Sequence, residues 1–527
     1  MGVSPGQHGP QSPVPPAFPV PPSAPQHSQC PPDPPMPWPP PSTLPDTPFP
    51  SRPLAVVAAV AEALLAPGYW ALDRLLALQP TTAQRARWRR HRAGHCLALG
   101  ARALAAPALV LVLLLALPPA LLGLLLWLPA QARRRPFVLQ HAATAATAEP
   151  WDPRRARGFT FLTANVCLLP SGLARFSNLG DTRRRAEVIG RILAARAPAE
   201  PSGHRHGLLE RRRGRGYGGT ARPIPLADPM PPVLTARIPP DTDFVCLQEV
   251  FDGGAATALR RQLGRRFPHV LWGVGPGGLR CGRLRALGSG LLLGSRFPLL
   301  AARFRPFPNA AREDALANKG LLVAQVLLGT GRGRRVVGYL GCTHLQAPAA
   351  DATIRDQQLS LVLRWLREFR RDQDRPGDLV AFDVLCGDLN FDNCSRGDSQ
   401  NQHHALFKEF WDPACHHSGQ DQPWAIGTLL NYLRIYEEPV STPEEMRRTL
   451  SQPWGREQFL AGPILSCGAL DPLAPRPWQG RRVDRALLRR EPALTAEVTG
   501  LSVITQLATL SDHLPVALQL RLGPADL

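Results

Sequence analysis

The sequence predicts an α/β fold: two β-sheets packed face to face with helices outside, preceded by an N-terminal hydrophobic membrane anchor. Three observations carry this expectation. From Gly158 to the C-terminus, apolar runs of strand length outnumber helical patterns. Polar residues gather at the exits of those runs. Ahead of Gly158, the stretch from Ala103 to Leu128 carries no charge over about 25 residues, enough to span a bilayer.

The 527-residue chain contains 59 prolines, and they cluster. Residues 1–53 are mostly Pro, Ser, Gln and Gly without periodicity, a composition that cannot bury a core, so the segment is expected to be disordered and partly polyproline-like. Residues 54–135 form the expected membrane-association region. Leu54 to Leu65 is apolar apart from Glu62; the pattern breaks at Pro67-Gly68 and resumes through Tyr69, Trp70 and Leu75-Leu76. The second block is split by Pro118-Pro119, where missing backbone donors should break a helix. Arg85, Arg87, Arg89, Arg90 and Arg92 precede it, and Arg133, Arg134 and Arg135 follow it. Keeping both basic clusters on the cytosolic side favours a re-entrant hairpin turning at the proline pair over a single span or a buried soluble helix. Residues 136–157 are expected to be a basic juxtamembrane linker.

The catalytic-looking region is 158–527. Phe159 to Val166 reads as its first strand, and the Arg-, Gly- and Pro-rich stretch 196–240 as a flexible insertion. Phe244 to Leu247, Ser289 to Gly294, Leu321 to Leu328 and Val336 to Cys342 are further strands. Ile354, Gln358, Leu361, Val362, Trp365 and Phe369 recur at helical spacing, as core packing requires. Leu379 to Cys386 reads as a buried strand, and Val503-Ile504 and Val516 to Leu522 close the domain. Cys167, Cys246, Cys342 and Cys386 lie inside apolar runs and no metal-type cysteine spacing occurs, which implies free thiols and a reducing compartment. The formal net charge of +20 implies a polyanionic partner, either nucleic acid or an anionic membrane surface.

Asn165, Glu249, His344, Asp388, Asn390, Asp484, Asp512 and His513 all sit at ends of apolar runs. Their chemistry is coherent. A hard cation such as Mg²⁺, with Mn²⁺ as a substitute, takes a carboxylate and an amide oxygen, which Glu249 and Asn165 can supply. His513 can take a proton from water near neutral pH, and Asp484 can hold its other ring nitrogen. Asp388 can orient the water, while Asn390 and His344 can donate to phosphoryl oxygens. Together these residues describe metal-assisted hydrolysis of a phosphate ester.

Gln248-Glu249, Thr343-His344, Gly387-Asp388-Leu389-Asn390 and Ser511-Asp512-His513 resemble, in order, the motifs of the endonuclease/exonuclease/phosphatase superfamily with its DNase I-like fold. One departure is that Asp484 is followed by Arg485 where the family usually has an aromatic residue. Thr163 to Pro170, Cys246 to Asp252, Asp314 to Gly320 and Pro423 to Thr428 narrow the resemblance to the membrane-anchored neutral sphingomyelinases. The short insertion makes the chain more similar to the mitochondria-associated member than to the Golgi and plasma-membrane one.

The resemblance implies a sphingomyelin substrate hydrolysed to ceramide and phosphocholine. It also implies a catalytic domain facing the cytosol at an intracellular membrane, with mitochondrion and endoplasmic reticulum favoured. Asp314 and Lys319 would match the family's Asp–Lys switch, responsive to anionic phospholipids such as phosphatidylserine. No nucleic acid partner is then expected. A membrane-tethered nuclease of the same fold is the alternative.

Overall fold

The computed structural model describes residues 38–195 and 234–527, apart from 91, 143–144, 281, 332, 491–495 and 525–527. Residues 1–37 of the expected disordered segment and 196–233 of the expected insertion lie outside this set.

Two sheets form the body. The first has the order β1 (Val138–His141), β4 (His269–Trp272), β7 (Leu292–Ser295), β3 (Phe244–Val250), β2 (Arg157–Leu168), β17 (Val516–Leu522) and β16 (Ala496–Val503). The second has the order β12 (Phe410–Trp411), β15 (Asp484–Arg489), β11 (Leu379–Asp388), β10 (Arg334–His344), β9 (Gly320–Gly331) and β8 (Leu299–Pro306). Two small hairpins stand apart: β5 (Gly278–Arg280) with β6 (Arg283–Arg285), and β13 (Cys415–His417) with β14 (Gln420–Asp421).

Each sheet contains one parallel pair, β2 with β3 and β10 with β11, and is otherwise antiparallel. Their apolar runs are continuous because both faces are covered. Phe159, Phe161 and Phe244 point between the sheets onto Phe297 and Phe382. The alternate residues Leu162, Ala164, Val245 and Leu247 point outward onto α5 (Thr182–Ala194) and α6 (Gly253–Leu263). On the second sheet α7 (Ala352–Gln373) lays Leu359, Val362, Trp365, Leu366 and Phe369 over Val323, Val337 and Leu385. Ser289 to Leu291, expected as strand, precede β7 as irregular chain with Gly290 at φ +73°.

Three expectations for the N-terminal part are corrected. First, α1 (Arg52–Leu76) runs through Pro67, and α3 (Arg92–Ala132) runs through Pro107, Pro118, Pro119 and Pro129, so the chain does not turn at the proline pair. Close packing holds α3 on α1 across that point: a Cβ on Gly123 would lie 2.9 Å from Leu64 Cβ and 3.0 Å from the Ala61 carbonyl. The hairpin is formed instead by α1 and α3, joined through α2 (Thr82–Arg90). Second, the Pro-rich segment is ordered from residue 38: the Trp38 indole N–H donates to the Ala148 carbonyl at 3.1 Å, Leu139 N–H donates to the Pro45 carbonyl, and Phe49 is buried. Third, residues 136–157 are not a free linker. They supply β1 and the buried Trp151, whose N–H donates to Leu328 O at 2.7 Å.

Both ends of the helical pair touch the sandwich. Asp73 Oδ1 accepts from Gly172 N–H at 2.6 Å in α4 (Ser171–Ala174), and Asn178 exchanges hydrogen bonds with Thr82 at 2.7 Å. At the other end Arg280 donates to the Gln131 carbonyl at 2.6 Å. Between these points the outer face of the pair is leucine- and valine-rich and exposed.

Candidate active site

The parallel pairs deliver the site. Chains that run the same way end at the same edge, so β2, β3, β10 and β11 bring Asn165, Glu249, His344 and Asp388 to one rim. β15 runs antiparallel to β11 and starts with Asp484 in register with Asp388, while β17 runs antiparallel to β2 and is entered from Asp512 and His513. The sheets hold these residues together without any contribution from sequence proximity.

His513 and Asp484 form the most direct contact, with Nδ1 2.8 Å from Oδ2. Burial alone would lower the imidazole pKa, but Asp484 and Asp388 outweigh it and hold it well above the usual histidine range. Asp388 Oδ2 lies 3.9 Å from His513 Nδ1 and accepts from Asn165 Nδ2 at 3.0 Å. Burial pushes Asp388 up, yet His513, His344 and Asn165 together keep it below the ordinary carboxylate value. Asp388, Asp484 and His513 present three ligand atoms within 4.8 Å of one another, a buried group able to hold a metal ion.

Glu249 stands across the rim at φ +60°, a left-handed backbone uncommon for a side-chain-bearing residue. Asn165 Nδ2 donates to its Oε1 at 2.9 Å. Burial, and then the nearby Asp512, raise its carboxyl to about 7. The Glu249 and Asp388 carboxylates, both bonded to the Asn165 amide nitrogen, are oxygen donors that fit a hard divalent cation. Asn165 offers less than expected: its amide oxygen accepts from Cys167 N–H at 3.0 Å, and its amide nitrogen faces Glu249 and Asp388. Glu249 could add a carboxylate to a cation held at this rim.

Lys319 is buried. Its Nζ lies 2.8 Å from Asp314 Oδ1, 3.1 Å from His344 Nε2 and 3.1 Å from the Leu345 carbonyl. Burial and then the Lys319 charge push His344 down to about 3, so the ring is neutral. With the ammonium donating to it, His344 Nε2 is occupied, while Nδ1 is buried without a partner and is left to carry the proton of the neutral ring. Asn390, at φ +55°, turns its amide to the Leu345 carbonyl at 3.1 Å, and its N–H donates to Asp388 Oδ1 at 3.0 Å. Asp512 is buried at the rim with Oδ1 unpartnered.

Two residues without an expected role support this set. Thr428 Oγ1 accepts from Val483 and Asp484 N–H at 3.1 and 3.0 Å, and its carbonyl accepts from Leu514 N–H at 2.8 Å, tying the Asp484 strand to the His513 segment. Only the Pro423 to Thr428 motif flagged it. Arg485, the departure noted above, is fully buried with its guanidinium 4.7 Å from the Phe391 ring centroid and 3.3 Å from Asp412 Oδ2. A planar guanidinium can stack on a ring in this way.

Comparison with known proteins agrees with this arrangement. Residues 53–133 match the model of the neutral sphingomyelinase N-terminal transmembrane region, and residues 162–513 that of the endonuclease/exonuclease/phosphatase family. Sphingomyelin phosphodiesterase 5 of Mus musculus is 42% identical over 91% of this chain and 95% of its own length. The Danio rerio protein of that name is 37% identical over 91% and 98%. Sphingomyelin phosphodiesterase 3 of Homo sapiens is 33% identical over 91% and 99%. With two sheets that converge on a buried carboxylate–histidine rim and two apolar helices against their flank, this chain belongs to the neutral sphingomyelinases, a membrane-associated branch of the endonuclease/exonuclease/phosphatase family.

Proposed function

We propose that the protein hydrolyses sphingomyelin at a membrane surface, releasing ceramide and phosphocholine. The observation that carries this reading is the His513–Asp484 pair facing Glu249 across a buried rim, in one compact unit with two exposed apolar helices.

His513 takes a proton from the attacking water through its Nε2, while Asp484 keeps the Nδ1 proton and stabilises the imidazolium that results. Asp484 and Asp388 raise the His513 ring above its ordinary value and so make it a stronger base, and activity is expected to rise with pH across its titration. Asp388 sits within reach of the same water. As the water oxygen bonds to phosphorus and the bond to the ceramide oxygen breaks, charge grows on the phosphoryl oxygens. Asn390, His344 and Lys319, the last once it leaves Asp314, would donate to that charge. Glu249 would hold the divalent cation, proposed as Mg²⁺ with Mn²⁺ as substitute, which polarises the phosphoryl group when bound.

The basic clusters around α1 and α3 suit anionic phospholipids such as phosphatidylserine, at about 1 kcal/mol for each Lys or Arg near the surface. The catalytic domain would face the cytosol, at mitochondrial or endoplasmic reticulum membranes.

The test is phosphocholine release from sphingomyelin in mixed micelles, with and without Mg²⁺, beside a DNA cleavage assay. Release that requires Mg²⁺ and is abolished by Glu249→Gln is expected. Cleavage of DNA without release of phosphocholine would overturn the reading in favour of a membrane-tethered nuclease.

A further inference from the structure

The hairpin of β5 and β6 is apolar on one face and tied down on the other. Leu279 and Leu284 are directly opposite each other in its register, so they share a face. They are 60% and 49% exposed. Arg280 pairs with Arg283 and Gly278 with Arg285, and Gly282 closes the turn at φ +72°.

The three arginines fasten the hairpin at both of its strands. Arg280 donates to the Gln131 carbonyl at 2.6 Å, Arg283 to the Ala310 carbonyl at 2.6 Å, and Arg285, itself buried, to the Ala315 carbonyl at 2.5 Å. The base of the hairpin fits closely on the end of α3: a Cβ on Gly277 would lie 3.2 Å from Trp127, and one on Gly278 would lie 2.9 Å from Gln131 Cβ. On the other side Leu287 N–H donates to the Leu316 carbonyl at 2.9 Å, and Leu316, also exposed, sits two residues from Asp314.

We propose that the β5–β6 hairpin is a lipid-contacting element of the catalytic domain, seated in the membrane interface beside the C-terminal end of α3 through Leu279, Leu284 and Leu316. A lipid surface is the occupant because the hairpin is seated on the end of α3, whose exposed leucines Leu121, Leu122 and Leu125 lead to the exposed Arg133. A basic residue at the end of an apolar helix marks the level of the interface. The two leucines offer an apolar face too small to hold a folded partner and well suited to partial insertion. The hairpin then joins the membrane to the loop that carries Asp314, since Arg283, Arg285 and Leu287 hold that loop from Ala310 to Leu316.

The proposal rests on the reading of the chain as an enzyme of membrane surfaces, and its first test needs no activity. Full-length Leu279→Trp is reconstituted in vesicles of phosphatidylcholine with a minority of phosphatidylserine, and its emission is compared with that of the parent chain. The added fluorescence is expected to be quenched by lipids brominated in the upper acyl chain and protected from aqueous iodide. Quenching by iodide and not by bromolipid would overturn the proposal.

The second test is the Leu279→Asp/Leu284→Asp double variant. Phosphocholine release from vesicles is expected to fall about tenfold or more, while hydrolysis of a water-soluble choline phosphodiester is kept. Equal loss on both substrates, or no loss on vesicles, would overturn the proposal. A parent chain that hydrolyses neither substrate would defeat the proposed function and leave the quenching result to decide the hairpin.

Discussion

The two apolar parts of this chain are alike in composition and opposite in what they do with it. In β9 every residue except Thr330 is buried, because the strand is covered by the facing sheet on one side and by α7 on the other. In the apolar part of α3 only 11% of the most apolar window is buried, and Leu104, Leu115 and Leu125 are largely exposed. Apolarity therefore marks a core where a second layer exists to cover it, and a membrane surface where none does. The catalytic rim belongs wholly to the first region, and the second is attached to it at both ends.

If this division is real, damage to one region leaves the other intact. The largest effect is expected from His513→Ala, which should lower turnover by about two to four orders of magnitude by removing the base. Sedimentation with vesicles should not change. Loss of vesicle attachment in this variant would break the division.

A paired comparison sharpens it. Trp151→Ala removes a buried side chain that lies between the chain entering β2 and the edge of β9, and should cost about 3–5 kcal/mol in chemical denaturation. Leu115→Ala, on the exposed face of α3, should change stability in detergent by no more than about 0.5 kcal/mol. Similar costs for both would mean that α3 is buried like a core helix.

A smaller effect is expected from acid. Burial, and then His141, push His269 on β4 down to about 4. Above its ordinary value near 6.5 the ring is neutral in both folded and unfolded chains. As pH falls from about 6.5 to 4 the unfolded chain gains a proton that the folded one refuses, and stability falls by up to about 3 kcal/mol. His269→Gln should flatten that part of the stability profile, and an unchanged slope would assign the acid sensitivity elsewhere.

Much of the rim was legible in the sequence because its residues share a local sign. Glu249, His344, Asp388 and Asp484 each break an apolar run at a strand end, and strand ends of one sheet meet in space. What was not legible depends on partners far away in the chain. Pro118-Pro119 reads as a helix break, and only the close fit of Gly123 on Ala61 and Leu64 shows why α3 continues. Residues 136–157 look like a basic linker until β1 finds β4 and Trp151 finds Leu328. Arg485 looks like a lost aromatic position until its stacking on Phe391 is seen. Nothing in the local sequence shows that Lys319 lies 3.1 Å from His344 Nε2. Amphipathic patterns and turn residues carry no record of such contacts.

The central claim is that this rim directs water to phosphorus, with His513 taking the proton. The most direct measurement is hydrolysis of sphingomyelin by the full chain in ¹⁸O-labelled water, with the products analysed by mass. The account expects one ¹⁸O in phosphocholine, none in ceramide, and loss of labelled product in His513→Ala. Label in the ceramide hydroxyl, or undiminished labelled phosphocholine from His513→Ala, would contradict it.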